Sequence, residues 1–119
     1  AVAKALAYMH RAGVLHRDLK AGNVLFDFYG TPKVCDFGLA ELQSESTNKI
    51  CGTLPYIAPE VLRMDPGAVA KPLDVYAFGV LFWEICTGRL AWRDESGRRM
   101  DHMKNADRVA HHGMRPPMN

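Results

Sequence analysis

The chain has 119 residues, of which 48% are hydrophobic and 24% charged, a composition typical of a single globular domain. Its formal net charge of +2 is too small to indicate nucleic acid as a partner. The longest apolar run, residues 75–83, is too short to be a membrane segment. The three cysteines are an odd number without metal-binding spacing, which indicates reduced thiols and an intracellular, cytoplasmic location.

The first third of the chain predicts one helix followed by a β-hairpin. Apolar residues recur at the helical spacing i, i+3, i+4 and i+7, namely Val2, Ala5, Leu6 and Met9. Gly13 then provides a typical helix end. Residues 24–26 and 33–35 are predicted strands, and the turn between them contains Gly30, which can adopt a positive φ.

The middle of the chain predicts a loop and then a short helix. Residues 39–52 are polar and irregular, which favours a mobile loop. Pro59 is placed to begin a short helix that extends to about Met64.

The last part of the chain predicts two helices. The first covers residues 74–87, with Asp74 as its N-cap and Gly88 as its end. It is apolar on nearly every side, so we expect it at the centre of a larger core. A final helix is predicted near residues 99–112.

Three short motifs follow one another in a fixed order within 45 residues. They are His-Arg-Asp-Leu-Lys-Ala-Gly-Asn at 16–23, Asp-Phe-Gly at 36–38 and Ala-Pro-Glu at 58–60. Their order and spacing resemble the H-R-D-L-x-x-x-N, D-F-G and A-P-E signature of protein kinases. One motif alone would be a weak signal, but three in order are very hard to reach by chance.

The resemblance covers nearly all of the chain and implies an α+β, protein-kinase-like fold. It implies the mostly helical C-terminal lobe with a small β-hairpin. Residues 1–119 would be a partial kinase domain: the end of helix E, the catalytic loop, the activation segment, helix F and the helix G region. The N-terminal lobe would be absent, and with it the Gly-rich loop, the ATP-pairing lysine and the αC glutamate.

The resemblance also implies roles for the polar residues of the motifs. Asp18 would accept the proton of the substrate hydroxyl, and Lys20 would lie beside the transferring phosphate of ATP. Asn23 and Asp36 would hold Mg²⁺ through hard oxygen atoms. Leu25 would form the floor under the adenine ring. ATP and Mg²⁺ are therefore the implied cofactors.

Further residues are implied to shape the site. His16 would pack under Phe37, which together with Gly38 belongs to the Asp-Phe-Gly motif. Asp74 would be buried and would anchor the backbone of the catalytic loop. Glu60 would lack the arginine that usually pairs with it, because that residue lies beyond the chain's last helix.

Arg17 is implied to pair with a phosphate on the activation loop, which runs from residue 36 to residue 60. Three hydroxyl groups in the polar part of that loop are candidate phosphosites: Ser44, Ser46 and Thr47. Each can equally be an ordinary loop residue. Thr53 is expected to bridge Asp18 and Lys20 instead of being phosphorylated.

The implied activity is transfer of the ATP γ-phosphoryl group to Ser or Thr hydroxyls of a protein substrate. Lys20 two residues after Asp18, and the form of residues 52–60, resemble serine/threonine kinases. Residues 74–88 and 113–116 resemble the tyrosine-kinase-like group.

Without the N-terminal lobe, we expect the isolated chain to be inactive and poorly stable. One alternative is a non-catalytic, truncated kinase lobe that acts as a binding or scaffold module. Another is an incomplete product without a function of its own.

Overall fold

The structure, a computed structural model, describes residues 1–46 and 49–118. These residues form four α-helices and four short strands. The helices are α1 (Val2–Arg11), α2 (Pro59–Leu62), α3 (Lys71–Thr87) and α4 (His102–His111). The strands are β1 (Val14–Leu15), β2 (Val24–Phe26), β3 (Pro32–Val34) and β4 (Glu41–Leu42). This mixture of helices and small antiparallel sheets agrees with the α+β class expected from the sequence.

The predicted hairpin is confirmed. Strands β2 and β3 pair antiparallel with Val24 opposite Val34 and Phe26 opposite Pro32, so β3 begins one residue earlier than expected. The backbone N–H of Cys35 donates to the carbonyl of Asn23 at 2.9 Å and continues the pairing. The hairpin therefore brings the residue after β3 close to the residue before β2.

The segment predicted to be irregular, residues 39–52, contains strand β4, so that prediction was wrong in part. Strand β4 pairs antiparallel with β1, with Leu15 opposite Glu41. The backbone N–H of Gln43 also donates to the carbonyl of Gly13 at 2.8 Å. A pairing of this kind depends on a partner far back in the chain, and the local polar pattern could not reveal it.

The long helix α3 begins at Lys71, three residues before the predicted start. Pro72 lies in its first turn, where a missing N–H costs nothing, and Ala70 is its N-cap. Asp74 is therefore not the cap. Its carboxylate instead accepts hydrogen bonds from another part of the chain. Gly88 ends the helix in the left-handed conformation, as expected.

Helix α3 separates two apolar clusters and is covered on only part of its surface. One cluster contains Leu6, Leu19, Ala77 and Leu81, and the other contains Val80, Ala91, Trp92 and Val109. Three large apolar residues of the helix stay exposed at 55–64% of their surface: Val75, Phe82 and Ile85. Residues 1–46 and 49–118 therefore cover the helix on the sides of the two clusters and leave this face open, and its place at the centre of a larger core stays a prediction.

The two remaining helices are shorter than predicted. Helix α2 ends at Leu62, and α4 begins only at His102. Asp101 is the N-cap of α4, because its carboxylate accepts the backbone N–H groups of Met103 at 2.9 Å and Lys104 at 3.2 Å. Across residues 1–46 and 49–118, no helix combines the length and the apolar character needed to cross a membrane.

Candidate functional site

The loop at residues 16–23 is held by one buried carboxylate from α3. Asp74 is fully buried, and its two oxygens accept the backbone N–H groups of His16 and Arg17, each at 2.9 Å. His10 on α1 contacts the same carboxylate through Nε2 at 2.8 Å. Arg17 has a φ of 69°, a left-handed conformation that costs a non-glycine residue about 1–2 kcal/mol. The bonds to Asp74 offset that cost and fix the start of the loop.

His16 is a buried structural residue in this arrangement. Its Nδ1 accepts the backbone N–H of Asp18 at 3.2 Å, and its Nε2 donates to the carbonyl of Cys35 at 3.0 Å. These partners require the hydrogen to sit on Nε2. The ring also packs on Phe37 with 5.4 Å between centroids. Both nitrogens are thus engaged, and His16 is not placed to act as a base.

Thr53 joins the two charged groups of the loop. Its hydroxyl donates to Asp18 Oδ1 at 2.8 Å and accepts from Lys20 Nζ at 2.9 Å. Lys20 Nζ also lies 3.6 Å from Asp18 Oδ2. A carboxylate and an ammonium group are therefore held side by side at the surface of the loop, bridged by one hydroxyl.

Asn23 is buried behind Asp18. Its Nδ2 donates to the backbone carbonyl of Asp18 at 2.8 Å and to Asp18 Oδ2 at 3.3 Å. With the amide nitrogen engaged, the amide oxygen is left as an acceptor. The 3₁₀ turn at Ala21–Asn23 leads directly into β2, so the hairpin carries Asn23 at its base.

Asp36 is the second acidic group near this position. It is exposed, has a φ of 60°, and accepts the backbone N–H of Gly38 at 3.2 Å through Oδ1. The bond from Cys35 N to Asn23 O places Asp36 next to Asn23 across the base of the hairpin. In the described part of the chain, no group of three or more His, Cys, Asp or Glu side chains is arranged to hold a metal ion.

The side chain of Arg17 is buried and already paired. It forms an ion pair with Glu41 on β4, and its Nη2 donates to the carbonyl of Lys49 at 3.3 Å and to Cys51 Sγ at 2.6 Å. Glu41 was missed in the sequence, because its partner comes from the β1–β4 pairing.

The candidate phosphosites lie elsewhere. Ser44 is exposed, and Ser46 donates to the carbonyl of Gln43 at 3.1 Å. Neither of these two residues is a hydrogen-bond partner of Arg17. Thr47 lies outside the described residues.

The backbone of Gly52 lies close to the backbone of Arg17. Its φ is 107°, and a Cβ at this position would lie 2.7 Å from the carbonyl oxygen of Arg17. Only glycine fits both the conformation and the space. The approach places Thr53, the next residue, against Asp18.

The residues after Thr53 are tied to α3 and to the chain that follows it. Tyr56 donates its hydroxyl to Glu84 Oε2 at 2.6 Å, and the backbone N–H of Ala91 donates to Glu84 Oε1 at 2.8 Å. Trp92 Nε1 donates to the carbonyl of Pro55 at 2.8 Å.

Burial, together with the bond to Glu84, raises the pKa of Tyr56 above its ordinary value. The signal in the sequence was Glu84 itself, an acid within the apolar stretch of α3 that follows Asp74.

Two predicted residues stand apart from this network. Leu25 is 57% exposed, because strand alternation turns its neighbour Val24 and not Leu25 toward the core. Glu60 is half-buried, and within the described ranges its carboxylate has no ion-pair partner.

Comparison with known proteins agrees with the motifs. Residues 1–116 match the protein kinase domain family. A probable serine/threonine-protein kinase of Dictyostelium discoideum is 39% identical over 98% of this chain and 12% of its own length. Mitogen-activated protein kinase kinase kinase 13-B of Xenopus laevis is 39% identical over 78% of this chain and 10% of its own length.

A plant relative is similar at a comparable level. Serine/threonine-protein kinase CTR1 of Arabidopsis thaliana is 44% identical over 76% of this chain and 11% of its own length. The chain thus spans 10–12% of the length of these three relatives. With a family match over almost every residue, the chain belongs to the protein kinase family.

Proposed function

We propose that the chain carries the catalytic loop and the metal ligands of a serine/threonine protein kinase. The reaction is transfer of the γ-phosphoryl group of ATP to a Ser or Thr hydroxyl of a protein substrate. The observation that carries the proposal is the bridge from Asp18 through Thr53 to Lys20, with 2.8 and 2.9 Å between bonded atoms. The bridge holds the Asp18 carboxylate, a proton acceptor, beside the Lys20 ammonium group. Phosphoryl transfer requires both a proton acceptor and a positive charge at the reacting position.

Asp18 takes the role of the base. Its Oδ1 accepts the Thr53 hydroxyl and its Oδ2 lies near Asn23 Nδ2, so the carboxylate is held in one orientation without being buried. A substrate hydroxyl that reaches this carboxylate can pass its proton to it as the new bond forms between the hydroxyl oxygen and the γ-phosphorus. The bond between the γ-phosphorus and the oxygen of the β-phosphate breaks, and ADP leaves. Lys20 stabilises the negative charge of the phosphoryl group at the same position.

Asn23 and Asp36 fit a magnesium ion by their chemistry. The Asn23 amide nitrogen is engaged, which leaves its oxygen as a ligand atom, and Asp36 supplies an exposed carboxylate beside it. Mg²⁺ commonly uses one or two protein oxygens together with phosphate oxygens and water, so a larger acidic cluster is not required. When bound, the ion would be held by Asn23 and Asp36 and would neutralise negative charge on the phosphate groups.

The rest of the nucleotide site would lie outside residues 1–119. Leu25, exposed on the outer face of the hairpin, would contact the adenine ring. In the family's terms, α1 would be the end of helix E, α3 helix F and α4 the helix G region. A Gly-rich loop, the ATP-pairing lysine and its glutamate partner would come from an N-terminal lobe. Residues 1–119 alone would then have little activity.

The proposal is tested in the full-length protein with Asp18→Asn. This change keeps the size of the side chain but removes the proton acceptor, and we expect phosphate transfer from radiolabelled ATP to fall by about 10²–10⁴-fold. Asp27→Asn, in the hairpin turn, is the matched control and should keep full activity. Equal activity of wild type and Asp18→Asn would contradict the proposal.

The exposed apolar residues of α3 favour a second candidate, a scaffold module. Phe82 and Ile85 line an apolar groove with Phe26 on the hairpin. A surface of this kind commonly marks a contact with another protein segment. If the full-length protein binds partners equally well with and without Mg²⁺–ATP and transfers no phosphate, the scaffold function is favoured over the kinase function.

A further inference from the structure

Two separate parts of the activation loop, residue 41 and residues 49–51, contact one buried guanidinium group, that of Arg17. The Arg17 side chain is only 4% exposed. From the beginning of the loop, Glu41 pairs with its Nη1. From the later part, Lys49 and Cys51 accept hydrogen bonds from its Nη2.

A buried guanidinium needs an opposite charge, because an unpaired charge is strongly disfavoured away from water. In the described part of the chain, Glu41 is the acid that forms an ion pair with Arg17. Asp18, the acid next to Arg17, is engaged with Thr53 and Asn23 instead. The charge of Arg17 is therefore balanced by Glu41.

The backbone sets Glu41 in place. The β1–β4 pairing puts Glu41 opposite Leu15, two residues before Arg17. Gln43 extends this contact through its bond to the Gly13 carbonyl at 2.8 Å. This backbone pairing holds Glu41 in place without any phosphorylated side chain.

The contact at Arg17 leads directly to the catalytic residues. Cys51 precedes Gly52, which lies against the Arg17 carbonyl, and Gly52 precedes Thr53. Thr53 in turn bonds both Asp18 and Lys20. Whatever holds residues 49–51 against Arg17 also sets the position of the Thr53 hydroxyl.

We propose that Glu41 is a positioning residue, a built-in counterion that stands where an added phosphate would otherwise balance Arg17. It keeps residues 49–53 on the catalytic loop in the unmodified protein. A phosphate on Ser44 or Ser46 would find Arg17 already paired, and activity would not depend on it. This inference rests on the proposed kinase function for its activity readout.

The first test needs no variant of the protein. Full-length protein is treated with a protein phosphatase, and phosphate transfer is compared before and after treatment. We expect the activity to change by less than about two-fold, since the counterion of Arg17 belongs to the chain. A loss of ten-fold or more on dephosphorylation would overturn the inference.

The second test removes only the charge. Glu41→Gln should lower kcat by about ten-fold or more, and Glu45→Gln, an exposed acid of the same loop, should have no effect. In Glu41→Ala, added inorganic phosphate should restore part of the lost activity by pairing with Arg17, while wild type should not respond. Full activity of Glu41→Gln, or no rescue by phosphate, would contradict the proposed role.

A third readout separates this inference from the kinase function. Trypsin cleaves after Lys49, whose carbonyl accepts a bond from Arg17. Glu41→Gln should accelerate this cleavage by about ten-fold in full-length protein, and Glu45→Gln should not. The result is informative even if the wild type transfers no phosphate, because cleavage needs no catalysis by the chain. An unchanged cleavage rate would overturn the inference even if the protein is an active kinase.

Discussion

Two aspartates in two regions of the molecule each accept hydrogen bonds from two backbone N–H groups. Asp74 accepts the backbone N–H groups of His16 and Arg17, and Asp27 accepts those of Tyr29 and Thr31 in the hairpin turn, all at 2.9 Å. Asp74 is fully buried and its donors are 57 and 58 residues away in the chain. Asp27 is partly exposed and its donors are two and four residues away.

The comparison shows that burial and chain distance decide the importance of the same pair of hydrogen bonds. Without Asp27, water can reach the freed N–H groups of the turn. Without Asp74, the buried N–H groups have no substitute acceptor, and each buried unsatisfied group costs about 1–3 kcal/mol. The loop at residues 16–23 should therefore be far more sensitive to the loss of its aspartate than the hairpin turn.

The largest effect is expected for Asp74→Ala. It removes the acceptor of both loop N–H groups and the partner of His10, so we expect a loss of about 3–5 kcal/mol in the free energy of unfolding. Urea denaturation of wild type, Asp74→Ala and the hairpin variant Asp27→Ala measures the difference. Similar losses in the free energy of unfolding for the two alanine variants would show that burial and chain distance do not decide the importance of these bonds.

Two glycines, one in each region, allow the same comparison to be made for the backbone. Gly52 and Gly30 both have positive φ, but an added Cβ would meet the Arg17 carbonyl only at Gly52, while that at Gly30 meets nothing within 4 Å. Gly30→Ala should cost only the conformational strain of about 1–2 kcal/mol.

Gly52→Ala should cost more than Gly30→Ala in the same denaturation experiment, because strain and steric overlap add. It should also displace Thr53 and reduce phosphate transfer by the full-length protein. If Gly30→Ala is the more destabilising of the two, the close approach at Gly52 is not important for stability.

The smallest effect concerns the pH response of the hairpin turn. Bonds from the backbone of Thr31 and Tyr29 lower the pKa of Asp27 below its ordinary value of 3.8. Because the folded-state pKa is lowered, the stabilisation is present above pH 3.8 and is lost as the pH falls through the folded pKa. NMR amide shifts of Tyr29 and Thr31 should therefore change below pH 3.8 in wild type, and stay constant in Asp27→Asn. Equal titration of the amide shifts in both proteins would contradict the assignment.

Much of the site followed from the motifs. The resemblance to protein kinases implied that Thr53 bridges Asp18 and Lys20, and in the structure the Thr53 hydroxyl is hydrogen-bonded to both side chains. The hairpin was found from its short β-rich runs and the turn between them. These features depend on local sequence or on a family pattern, so they can be predicted from a single chain.

Other features depend on contacts between distant segments and were missed. The start of α3 was misplaced because Asp74 resembled an N-cap. Its other expected role, anchoring the backbone of residues 16–17, came from the family resemblance, and its carboxylate accepts both of those N–H groups. Glu41 looked like one more polar loop residue, because nothing near it reveals the pairing of β4 with β1. The partner of Glu41 lies elsewhere in the chain, and only the folded structure identifies it.

The indole of Trp92 gives the molecule an optical reporter. It is 6% exposed, and its N–H bonds the carbonyl of Pro55, two residues after Thr53. A buried indole emits at shorter wavelength than one in water. Trp83, the other tryptophan, is partly buried against the same apolar cluster and donates its N–H to the Pro117 carbonyl. Release of residues 53–57 from the rest of the protein would expose Trp92 to water, so the intrinsic fluorescence of a Trp83→Phe variant would report on the position of residues 53–57 without any added label.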